Sequence, residues 1–146
     1  MIQLVEVNQN NLESYQSFAR KFDSNLSGFQ SRIYPSKDSD IVNWYYIKVS
    51  QKYIGSIWLE KQANMPFAVL GIFIADEEFR NKGIGKQAIK AIISADAPKM
   101  QIEEIRLNVR ESNIRAIKCY TECGFIKTRP YESQKGFRAI SMSYRL

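Results

Sequence analysis

The chain contains no histidine. Ser-His-Asp and Cys-His nucleophile systems, histidine proton shuttles and most zinc sites are thereby excluded, and any general base must be a carboxylate, a tyrosine, a lysine or a relayed water. No metal is expected. Cysteine is scarce: Cys119 and Cys123 sit four residues apart on one predicted helix, where a mutual disulfide would have to bridge successive turns, so both read as reduced and structural. Long apolar runs are missing too. The first seven residues alternate like a strand instead of forming a signal-peptide core, and nothing approaches the length of a membrane span, so a cytoplasmic protein without membrane association is expected. Repeats and low-complexity tracts are absent.

What is present suits one domain over residues 1–146: the chain has 146 residues, 45% of them hydrophobic, enough for a substantial core. Lysine and arginine number 21 against 15 acids, a net charge of +6, which favours an anionic partner; a phosphate-rich cofactor and nucleic acid both satisfy that. The pattern predicts a strand at 2–7 and an amphipathic helix at 11–22 with Leu12, Tyr15, Phe18, Ala19 and Phe22 on one side. Residues 23–40 hold serines, Gly28 and Pro35, and suggest a loop or short helices covering a binding site. Strands at 44–49, 53–60 and 68–74 form a meander. The second half then alternates a helix at 84–95, a strand at 102–109, a helix at 113–123 with Ser112 or Asn113 as cap and Gly124 as stop, and a closing hairpin around Lys135-Gly136.

The most informative segment is Arg80, Asn81, Lys82, Gly83, Ile84, Gly85 and Lys86. Two glycines flanking Ile84 allow a tight turn and close approach to a ligand, and the first N–H groups of the following helix attract anions. A Walker-type loop is excluded, because it needs glycine where Arg80 stands and Ser or Thr where Gln87 stands. The spacing Gly83, Gly85, Ala88 also fits a dinucleotide fingerprint, but the acids Glu103 and Glu104 open the next strand instead of closing the second, and antiparallel strands precede the loop. A second constellation is Asn113, Ala116 and Tyr120, followed by Gly124-Phe125. Seven residues are nearly two helical turns, so Asn113 and Tyr120 share a face with the small Ala116 between them, leaving room for a thin ligand.

On these two motifs and their order, the chain resembles the GCN5-related N-acetyltransferase (GNAT) superfamily over nearly its whole length. The resemblance implies a mixed α+β fold, with a central, mostly antiparallel sheet of six to seven strands flanked by about four helices. It implies acetyl-CoA as co-substrate, with pyrophosphate held by the amides of Arg80, Asn81, Lys82, Gly83, Ile84, Gly85 and Lys86. Main-chain groups near Phe73 and Ile74 would pair with pantetheine, Asn113 would bond the cofactor arm beside Ala116, and Tyr120 would protonate the departing thiolate as general acid. The stretch 112–120 looks like the corresponding helix of aminoglycoside 6'-N-acetyltransferases and of the ribosomal-protein N-terminal acetyltransferases.

The acceptor implied is a primary amine, either of a small molecule such as an aminoglycoside or a polyamine, or of a peptide. An aliphatic amine of pKa near 10.4 is neutral in only about one part in 10³ at pH 7, so a base should assist. Glu60 is the candidate, with Asp76, Glu77, Glu78 and Glu111 as others; the strand carrying Val69, Leu70, Gly71, Ile72 and Phe73 offers no carboxylate where the family often has one. Trp44, Tyr45, Tyr46, Tyr53 and Trp58 could line an acceptor groove, but alternate ones must be core, and most of them are expected in the core. Two other classes stand beside the enzyme: a non-catalytic acyl-CoA-binding module, and a basic nucleic-acid-binding domain using Arg80, Lys82, Lys86 and Lys90, which the lack of a recognised motif disfavours. Monomer and homodimer are equally compatible with the sequence.

Overall fold

The computed structural model describes residues 1–24, 33–134 and 136–146. The expected cover at residues 23–40 falls in large part on 25–32, outside the described residues, as do the side chain of Phe22 and the turn residue Lys135. The elements are β1 (Ile2–Glu6), α1 (Leu12–Ser24), β2 (Ile41–Val49), β3 (Lys52–Lys61), β4 (Phe67–Ile74), α2 (Ile84–Asp96), β5 (Glu104–Arg110), α3 (Ile114–Glu122), β6 (Ile126–Glu132) and β7 (Arg138–Arg145). Single 3-10 turns at Glu77–Phe79 and Ala97–Lys99 follow β4 and α2. The expected four helices are therefore three among the described residues.

All seven strands join one sheet in the order β1-β2-β3-β4-β5-β7-β6. Every neighbouring pair is antiparallel except β4 and β5. β2 starts at Ile41, earlier than its pattern suggests, because Ile41, Val42 and Asn43 pair with Lys61, Glu60 and Leu59. Alternate residues of the central strands point to opposite faces. Ile57, Leu59, Leu70 and Ile47 pack with Ile84, Ala88, Ile89 and Ile92 of α2 and Ile117 of α3, whereas Trp58, Phe73 and Tyr46 pack with Tyr15 and Ala19 of α1. The sheet thus divides an aliphatic core under α2 and α3 from an aromatic one under α1. The aromatic side is dense: Tyr46 stacks on Tyr53 with centroids 4.0 Å apart, and Tyr15 meets Trp44 edge-on at 4.5 Å. Among the described residues no helix is long and apolar enough to cross a membrane.

Candidate active site

The site begins where the sheet fails to close. β4 and β5 keep register only through Phe67–Glu104, Ala68–Ile105 and Val69–Arg106. Beyond Val69 the strands part, β4 staying with β3 to Ile74 and β5 staying with β7 to Arg110. Their facing edges over 70–74 and 107–110 have no strand partner among the described residues, which offers main-chain donors and acceptors to an extended ligand. A cavity of about 1130 Å³ occupies the gap. Its wall is basic: Arg80, Lys86, Arg110, Arg115 and Lys118 line it, against the single carboxylate of Glu122 among the described residues. That carboxylate lies 3.4 Å from Lys86 Nζ.

At one end, the turn into α2 adopts left-handed backbone at Asn81 (φ 62°) and Gly83 (φ 77°). Gly83 caps the helix through its carbonyl, which accepts from Gln87 N–H at 3.0 Å, but no side chain caps it. The N–H groups of Ile84, Gly85 and Lys86 consequently have no acceptor inside the helix, and all three residues line the cavity. Such an end attracts an anion, and the first turn carries no acid to oppose one. Arg80 has a different job in this structure. Its Nε and Nη2 donate to the Ile74 carbonyl at 3.2 and 3.0 Å and fasten the turn to the end of β4. Lys82 is exposed and does not line the cavity.

The opposite wall is α3. Asn113 caps it, accepting from Ala116 N–H at 3.2 Å, and Asn113, Ala116 and Tyr120 all line the cavity. Gly124 (φ 103°) ends the helix and turns Phe125 back, so that Phe125 N–H donates to the Tyr120 carbonyl at 3.0 Å and its buried ring packs 6.1 Å from the Tyr120 ring. Burial pushes the Tyr120 phenol well above its ordinary pKa. The neighbouring Cys119 thiol, also in the wall, is raised by burial to about 11 and stays protonated at neutral pH.

The structure therefore brings together Phe73, Ile74, Arg80, Asn81, Gly83, Ile84, Gly85, Lys86, Asn113, Ala116 and Tyr120 around one cavity, but not Glu60. Glu60 is buried, does not line the cavity, and accepts from Ser36 N–H at 2.7 Å. The other candidate bases are engaged as well: Asp76 sits 2.8 Å from Lys52, and Glu111 sits 3.2 Å from Arg138 Nε. The wall also holds residues the motifs did not indicate, among them Asn108, Arg110, Arg115, Lys118 and Phe137. Arg115 and Lys118 carried a readable signal, being three apart on a helix already assigned to a ligand.

Residues 7–125 match the family model described as acetyltransferase (GNAT) family. The chain belongs to that family. Individual proteins are similar to this chain as well. A spermine/spermidine N(1)-acetyltransferase of Bacillus subtilis is 29% identical over 112 residues, which are 76% of this chain and 59% of that protein. The chain thus spans less than two thirds of the length of that relative. Among solved structures, spermidine N-acetyltransferase from Vibrio cholerae in complex with CoA and spermine superimposes with a TM-score of 0.76 at 16% identity, covering 99% of this chain and 95% of that one. Aminoglycoside acetyltransferase AAC(6')-Ib in complex with coenzyme A gives 0.75 at 18%, with the same coverage. At these identities the structures speak for the GNAT fold, which the seven-stranded sheet with its parted β4 and β5 displays.

Proposed function

We propose that residues 1–146 form one catalytic domain, an acetyl-CoA-dependent N-acetyltransferase that passes the acetyl group directly to a primary amine. The observation that carries this reading is the cavity itself, in which a helix end without a side-chain cap, two strand edges without a strand partner among the described residues and a half-buried phenol meet. The names of the relatives agree: the Bacillus protein is named for spermine and spermidine, and the solved structures include one with CoA and spermine.

Acetyl-CoA supplies an activated acetyl thioester. The residues present suit it: the amides of Ile84, Gly85 and Lys86 and the cations Lys86, Arg115 and Lys118 match a pyrophosphate and a further phosphate, and the edge of β4 near Phe73 matches an amide-bearing arm. Asn113, Ala116 and Tyr120 line the cavity together along α3. Tyr120 keeps its proton and donates a hydrogen bond where negative charge develops on the departing sulfur. No carboxylate reaches the acceptor end of the cavity among the described residues, so the amine proton leaves through water.

Calorimetric titration with acetyl-CoA, followed by release of free thiol on adding an amine, tests the reading. Micromolar binding and amine-dependent release are expected. Absence of binding, or binding with no release for any amine, would return the domain to a basic nucleic-acid binder or to a non-catalytic acyl-CoA module respectively.

A further inference from the structure

Two stripes of α3 line the cavity, and they differ in exposure. Asn113, Ala116 and Tyr120 are half-buried, whereas Arg115, Lys118 and Glu122, spaced three and four residues apart, are exposed. The exposed stripe therefore belongs to the mouth of the cavity. It meets the start of α2 at Glu122, whose carboxylate lies 3.4 Å from Lys86 Nζ. From that contact Lys118 stands about one turn and Arg115 about two turns back along α3, a row of about 10 Å that begins beside the amides of Ile84, Gly85 and Lys86.

The cations of the wall are not equivalent. Arg80 donates to the Ile74 carbonyl, Lys86 is offset by Glu122, and Arg110 lies 3.8 Å over the Phe137 ring. Arg115 and Lys118 have neither a hydrogen bond nor an ion pair among the described residues. Like charges three residues apart on a helix repel each other, and the acid four residues after Lys118, Glu122, is turned to Lys86 instead. An anion that bridges Arg115 and Lys118 would remove that repulsion.

The proposed co-substrate has two anionic centres. Its pyrophosphate matches the amides at the start of α2. Its ribose 3'-phosphate is a dianion at neutral pH, with oxygens that suit a guanidinium fork and an ammonium together. We propose that Arg115 and Lys118 bind this 3'-phosphate, so that the domain distinguishes CoA thioesters from their 3'-dephospho counterparts. The inference rests on the acetyl-CoA reading above and adds which part of the carrier these two side chains recognise.

Calorimetric titration of CoA and of 3'-dephospho-CoA into wild type, Arg115→Gln, Lys118→Gln and the double variant, at one ionic strength, tests it. Wild type should prefer CoA by about 10-fold or more, and each single variant should lose part of that preference. The double variant should prefer CoA by about 2-fold or less, with its affinity for dephospho-CoA changed by less than about 3-fold. Retained dephospho-CoA binding also reports that the variants are folded. In wild type the phosphorus resonance of the bound 3'-phosphate should keep its dianion position below the usual second pKa of about 6, and in the double variant it should titrate normally. Equal affinity of wild type for the two ligands overturns the proposal. So does an equal weakening of both ligands in the double variant, which would assign the two cations to the pyrophosphate or to the general field of the cavity. If wild type binds neither ligand, the acetyl-CoA reading itself has failed; a preference for CoA that survives in the double variant sinks only the assignment to Arg115 and Lys118.

Discussion

At the scale of the residue, Tyr120 decides whether the cavity is a catalyst. A phenol raised by burial remains protonated at neutral pH, but a thiol's ordinary pKa is about 8.5, so complete proton transfer to a finished thiolate would run uphill. Its contribution must come while the carbon–sulfur bond is breaking, as a hydrogen bond that strengthens with the developing charge. Replacing Tyr120 with Phe should lower turnover about 10²-fold and leave acetyl-CoA affinity unchanged by calorimetry. The pH dependence follows from the sign of the shift. Because the folded pKa lies above the ordinary value of 10, no loss of activity from Tyr120 ionisation should occur below that pH, and the rate should rise from pH 6 toward 10 as the amine loses its proton. A descending limb near pH 8 that disappears in Tyr120→Phe would contradict this. Glu60 shows the limit of reading single residues from sequence. Its carboxylate is held by a backbone N–H 24 positions earlier, in a segment whose conformation no local pattern specifies.

At the scale of elements, both motifs were legible because each is local. A glycine at φ 77° followed by a helix, and an Asn cap with a Tyr seven residues on, are written within ten residues each. The parting of β4 from β5 is not local. It results from a parallel pairing that stops after three residue pairs, between strands separated by α2, and neither strand's composition marks the stopping point. Gly71 was the available clue, a glycine inside an apolar strand, but its meaning depends on Trp58 across the sheet. The two glycines of the turn differ in a way that can be measured. A Cβ at Gly83 would meet nothing within 4 Å, so Gly83→Ala should cost only left-handed backbone strain, about 1 kcal/mol or roughly 3 °C in Tm. Gly85 is helical, and a methyl there would sit 3.7 Å from Cys119 Sγ and 3.9 Å from Ile72 Cδ1, ordinary contacts. Gly85→Ala should hold or slightly raise Tm while weakening acetyl-CoA about 10-fold, because the methyl stands in the cavity beside the amides. Calorimetry of both variants, with melting curves alongside, separates strain from occlusion; equal affinity in Gly85→Ala and wild type would remove the phosphate role of this helix end.

For the whole molecule, the sheet separates two cores of different chemistry, and the aromatic one makes stability depend on alkaline pH. Tyr46 is pushed up to about 12 by burial, and burial raises Tyr15, Tyr45 and Tyr120 as well. Tyr15 donates to the Ile33 carbonyl and Tyr46 to the Asn11 carbonyl, so the proton on each phenol also ties α1 and its flanks to the sheet. In the unfolded chain these groups titrate near 10. The folded state therefore binds protons more tightly, and the stability they contribute is complete below pH 10 and is lost as pH rises from 10 through 12. With no histidine in the chain, nothing of that kind titrates near pH 6.5, and the melting temperature should be flat between about pH 6 and 8. Above pH 10 it should fall progressively, and tyrosinate absorbance should show about half of the eight tyrosines ionising only together with unfolding. Ionisation of all eight ahead of the loss of ellipticity would mean that solvent enters the core between α1 and the sheet in the folded state.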